Sequence, residues 1–140
     1  WRYKEGPART GTGVFAFTLG SLGNVVEHFN ADIPGYAKLY ANEQNFLHGE
    51  FAKLGHGPIS YWPDIWIRSF KYHQRQPVGL DRLKGPNPPA PETRILCFHG
   101  TPRPIDLIRP PKGNWDVFPH YGRGQVDWIV DYWLRYGGTV

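Results

Sequence analysis

Apolar positions along the chain change period several times, and each period predicts an element. Residues 13–18, GVFAFT, sit between glycines and polar turns and predict a strand. Leu22, Val25, Val26 and Phe29 then recur at i, i+3, i+4 and i+7, one face of a helix that Pro34-Gly35 breaks. Asn42 is a good N-cap for a second helix over 43–54, with Leu47, Phe51 and Leu54 inward and Gly55 at its end. Residues 59–70, ISYWPDIWIRSF, alternate weakly around Pro63 and predict strand pieces at a bend. The stretch 76–91 is loop, stiffened by GPNPPAP. Ile95, Leu96, Cys97 and Phe98 form an uncharged apolar run, so 93–98 predicts a buried strand. After the loop RPPKGNW, Val126, Ile129, Val130 and Trp133 make the stripe of a last helix, with Asp131 and Arg135 spaced to pair on its polar side and Gly137-Gly138 at its end.

Interspersed strands and helices in 140 residues predict one α/β domain over 1–140, a mixed sheet with flanking helices. Aromatic residues reach 16%, rings that serve cores and ligand platforms equally. The net charge of +4 is spread over scattered Lys and Arg, which disfavours a nucleic-acid patch and suits an anionic small substrate. One cysteine excludes a disulfide framework and a four-thiolate zinc site. No apolar run approaches the roughly eighteen residues of a membrane span, and a cytoplasmic location, if need be peripheral to a membrane, is expected. The chain contains no Met, which suggests the later part of a longer protein.

Several catalytic signatures are missing. GTGVFAFTLG has glycines but no Walker lysine, and neither His-Glu-x-x-His nor Gly-x-Ser-x-Gly occurs. Cys97 stands mid-strand among apolar residues, where burial makes a thiol inert. The end of the same strand is more informative. CFHGTPRPID delivers His99, then Gly100, then Arg103 between two prolines. Ligands of open α/β sheets bind beyond the carboxyl ends of strands. A neutral imidazole there can ligate Mn or Zn, and a guanidinium can grip phosphate at two points. The plainer reading is a strand-end His bonded to backbone and a solvated Arg. SFKYH (69–73) adds Lys71 and His73 after another strand-like piece, and PHYGRG (119–124) adds His120 and Arg123 on a glycine-rich loop. Each is a candidate phosphate contact or an ordinary surface cation. Trp62, Trp66 and Trp115 can stack on a sugar or fill the core.

Three segments together resemble the family 8 nucleotide-sugar glycosyltransferases of the GT-A fold. CFHGTPRP is similar to their late His-x-x-Gly-x-x-Lys-Pro motif, with Gly100 and Arg103-Pro104 in register; the family's His falls on Cys97, and Ile105 replaces its Trp. His99 lies two residues from that position, on the same face of a strand. TGTGVFAF (10–17) resembles the family's Asn-Ser-Gly-Val-Met strand through Gly11, Thr12, Gly13 and Val14. NEQNFLH (42–48) resembles its Asp-Gln-Asp-x-Leu-Asn helix start through Glu43, Gln44, Asn45 and Leu47. The resemblance spans roughly residues 10–105. It implies the C-terminal portion of a GT-A fold that transfers sugar from a nucleotide-diphosphate donor to a glycan or other hydroxyl acceptor. It further implies Mn or Mg held by His99, donor phosphates met by Arg103 beside Gly100, and Glu43 and Gln44 facing the reacting centre; Lys71 and Arg123 stand beside these as phosphate contacts read from their own segments. No Asp-x-Asp occurs, so the remaining metal ligands are expected in a preceding N-terminal half. A non-catalytic carbohydrate-binding module is the alternative.

Overall fold

The structure, a computed structural model, describes residues 13–140. Its elements are α1 (Gly23–Ala31), α2 (Ile33–Leu39), α3 (Glu43–Glu50), β1 (Ile67–Ser69), β2 (Ile95–Cys97), α4 (Pro104–Ile108) and α5 (Asp127–Arg135). They belong to two compact units, the first ending at Asp64 and the second running Ile65–Val140. The α/β character expected from the sequence is present as short helices, but among the described residues the sheet is two parallel strands and not the mixed sheet expected. The first segment of the glycosyltransferase resemblance lies partly outside the described residues, since only 13–17 of it are covered.

In the first unit, residues 13–18 form no strand, and Phe15 and Phe17 are largely exposed. A lone strand has no ladder partner for its N–H and C=O groups, and the described residues provide none. The α1 stripe splits: Val25 is buried, whereas Val26 is 58% exposed. Pro34-Gly35 does not merely end α1. The Asp32 carboxylate accepts from Gly35 N at 3.0 Å, and Pro34 occupies the first turn of α2. Proline fits there because that N–H has no partner in a helix anyway. Asn42 caps α3 as expected, accepting from Asn45 N at 3.0 Å. The helix stops at Glu50, and its buried side chains are Phe46 and Glu50, one position away from the predicted Leu47–Phe51–Leu54 face.

The second unit is built around Phe70. β1 and β2 pair in register Ile67↔Ile95, Arg68↔Leu96 and Ser69↔Cys97, so the 59–70 and 93–98 expectations each contain a real strand. Phe70 is fully buried, stacks on Phe98 at 5.2 Å between centroids and meets Trp115 edge-on at 5.7 Å. Leu107 and Ile108 of α4, Val126 and Ile129 complete the core. The short helix α4 lies in a stretch to which the sequence pattern assigns no element. It starts at Pro104, and Asp106 reaches back to accept from Arg103 N at 2.8 Å. Val126 N donates to Leu107 O at 3.0 Å, joining the entry of α5 to α4. Trp115 needs a glycine opposite it: a β-carbon on Gly122 would stand 1.9 Å from the indole. Trp133, expected as packing, is 41% exposed, and its indole N–H donates to Thr139 O. The ion pairs of the described residues do not include Asp131–Arg135.

Candidate functional site: the carboxyl ends of the parallel pair

Both strands of the second unit end at the same edge because they run parallel. Beyond Ser69 the chain turns through a wide helical turn, Phe70–Gln74. Single turns of this kind recur at functional sites. Phe70 goes into the core and Lys71 emerges half-buried beside the strand ends. The imidazole of His73 folds back, its Nδ1 accepting from Ser69 N at 2.9 Å. Beyond Cys97, Phe98 packs on Phe70, His99 is half-buried, and Gly100 reverses the chain at φ +63°. That left-handed conformation costs glycine little.

Lys71 and the His99–Gly100 turn meet at this edge. The Lys71 ammonium lies 3.8 Å from the point a β-carbon on Gly100 would occupy. Burial lowers the His99 pKa, and the Lys71 charge lowers it further. The imidazole is therefore neutral at pH 7, next to a cation. An anion entering here would gain Lys71 directly and, by offsetting the positive field, ease protonation of His99. Burial also raises the Cys97 thiol above its usual value, consistent with an inert strand residue.

The other candidates go elsewhere. Arg103 makes its contacts with Asp106 of its own helix turn: Nε and Nη2 lie 3.2 and 3.1 Å from the carboxylate. Its side chain is 69% exposed, a solvated guanidinium paired with the start of its own helix. Asp106 is buried, and this cation together with the Arg103 N–H keeps its carboxyl below the usual range. Arg123 is exposed on a loop whose backbone bridges to Asn114. Glu43 and Gln44 belong to the first unit, in the opening turn of α3, where a carboxylate suits the helix dipole. Among the described residues no three His, Cys, Asp or Glu side chains converge on a point that could hold a metal ion. Trp115 is 2% exposed and belongs to the core; Trp62 and Trp66 are exposed.

Two buried pairs not foreseen from the sequence tie one loop to another. Arg75 Nε donates to Asp116 at 2.7 Å, and His120 Nδ1 lies 2.9 Å from Asp81. Arg82 also stands over the Tyr121 ring at 5.0 Å. The partners are 39 to 41 residues apart in the chain, so no local pattern marks them. His120 is thereby committed to Asp81. No protein-family model, no curated protein and no solved structure matches the chain. No described helix is long and apolar enough to cross a membrane.

Proposed function

We propose that the strand-end site binds the diphosphate of a nucleotide-sugar donor and that the chain is part of a glycosyltransferase. The observation that carries this reading is the convergence of Lys71 with the His99–Gly100 turn at the carboxyl ends of adjacent parallel strands. In the transfer, the bond between the sugar anomeric carbon and the diphosphate oxygen breaks, its electron pair leaving with the diphosphate. The acceptor oxygen bonds to that carbon and its proton passes to solvent or a basic group. Charge grows on the leaving oxygen, so a fixed cation beside it stabilises the transition state more than the ground state. Lys71 supplies that cation. His99 enters neutral, the form in which an imidazole can ligate a metal. Gly100 lets the phosphate approach the backbone. Mn or Mg, a Lewis acid toward the leaving diphosphate when bound, would take His99 as one ligand; the described residues supply no set of three.

Calorimetric titration of the chain with uridine diphosphate and guanosine diphosphate, with and without manganese chloride, tests this. Lys71→Ala weakens a diphosphate by about tenfold or more, as expected for one charge-assisted hydrogen bond, and leaves the bare nucleoside unaffected. Equal affinities of wild type and variant, or no diphosphate binding, would overturn the proposal. Binding of oligosaccharides without nucleotide would instead support the carbohydrate-binding alternative.

A further inference from the structure

The first unit contains a cleft of about 480 Å³ bounded by α1, α2 and α3. That size lies within the roughly 300–1,000 Å³ of small-molecule sites. Val25 and Phe46, 6% and 5% exposed, are its most buried lining residues, while Val26 at 58% opens to solvent. Four rings shape it. Phe46 meets Phe29, Tyr36 and Tyr40 edge-on, with centroids 5.1, 5.1 and 5.7 Å away. Phe29, Tyr36 and Tyr40 follow one another with planes 23° and 22° apart.

The phenol hydroxyls are already committed behind the rings. Tyr40 donates to the buried Glu50 carboxylate, and the Tyr36 hydroxyl lies 2.6 Å from His28 Nε2. Glu50 also accepts from Lys53 at 2.8 Å and faces His28 at 3.3 Å. These bonds hold the rings in place before any ligand arrives, and preordered walls lower the cost of binding. What the two tyrosines offer the cleft is therefore mainly ring surface. Among the lining residues Glu43 is the charged one, beside Asn42 at the start of α3.

We infer that this cleft binds a small cyclic or aromatic molecule whose hydrogen-bond donor, a hydroxyl or ammonium, faces Glu43. The fixed rings match an apolar ring, and the carboxylate favours a donor and repels an acid. Nothing in this inference rests on the diphosphate site, and its test uses no nucleotide.

Titration of the chain with 2-naphthol, followed by amide NMR, is expected to saturate by about 1 mM, the range open to a small rigid ligand. Shifts should concentrate at Val25, Val26, Ala37, Ala41 and Leu47. Naphthalene-2-carboxylate should bind about tenfold more weakly or worse, because like charges are opposed, and Glu43→Gln should narrow that gap. Ala41→Phe, made at an exposed lining position, should abolish binding while leaving the circular dichroism unchanged; Val26→Trp serves the same purpose if that variant does not fold. Naphthol that fails to saturate, shifts lying elsewhere, indifference to the filling variants, or equal affinity for the acid would each overturn the inference. So would a concentration-dependent dimer dispersed by Ala41→Phe, which would assign the cleft to a second copy of the chain.

Discussion

The ammonium of Lys71 stands 3.8 Å from where a β-carbon of Gly100 would lie, and Gly100 holds φ at +63°. The distance is ordinary van der Waals contact, so a methyl group at residue 100 meets no clash. The backbone supplies the penalty instead. Gly100→Ala should lower stability by about 1–2 kcal/mol, the cost of a left-handed residue with a side chain, measured by urea denaturation. If the proposed anion site is correct, it should also weaken diphosphate binding by covering the ammonium.

The same lysine sets the titration of His99. Burial is the larger cause of its lowered pKa and the Lys71 charge the smaller. Lys71→Ala should therefore raise the imidazole pKa in a proton NMR titration without bringing it back to the ordinary histidine value of 6.5. The folded state prefers neutral His99, whereas the unfolded chain takes the proton near pH 6.5. The stability contributed by neutral His99 is thus complete above that pH and declines below it. An unchanged His99 titration in Lys71→Ala would show that the two groups do not interact.

Acid should act on the first unit through Glu50. Hydrogen bonds from Lys53 and then Tyr40 dominate over burial, His28 adds to them, and the carboxyl is lowered to about 2 from 4.5. A lowered carboxyl stabilises the fold in its ionised form, fully present above pH 4.5 and lost as pH falls toward 2. Glu50→Gln should flatten that acid limb and lower stability at pH 7 by on the order of 1–3 kcal/mol, since Tyr40 loses a charged acceptor. Denaturation midpoints across pH 2–7 read both effects.

Two Arg–Asp pairs should respond very differently to mutation. The Arg75 and Asp116 side chains are 14% and 0% exposed, and removing the carboxylate leaves a largely buried guanidinium without its partner. Asp116→Ala should cost about 3–5 kcal/mol. Arg103 is mostly in water, and Arg103→Ala should cost about 0–1 kcal/mol. Asp106→Ala also removes the cap on the Arg103 N–H and should fall between them, near 1–2 kcal/mol. Thermal unfolding of the three variants orders them directly.

Local signals in the chain mark several elements well. Asn42 marks the start of α3, the apolar run Ile95–Cys97 marks β2, and the stripe ending near Trp133 marks α5. In each case a side chain acts on its own neighbours or repeats at the period of its element. Pro34 and Pro104 were harder to read, because proline breaks a helix interior and also opens a helix, and only the completed turn tells which. The exposed GVFAFT segment shows the limit of a glycine-bounded apolar run as evidence, since a strand exists only if another one pairs with it.

The candidate site divides in the same way. His99 and Gly100 can be read as a strand ending because their neighbours make a strand. Arg103 carries the right charge at the right spacing, yet an aspartate three residues later takes it. Lys71 is a weak candidate by sequence, and it gains meaning because β1 lies parallel to β2 and brings two distant strand ends to one edge. The loop pairs of Asp116 with Arg75 and Asp81 with His120 likewise join partners too far apart in sequence for any local pattern. The sequence by itself determined the start of α3, the strand β2 and the kinds of side chain available for chemistry, because those depend on near neighbours. Only the tertiary structure decided which cation meets the imidazole, because that choice depends on strand pairing across residues 70–94.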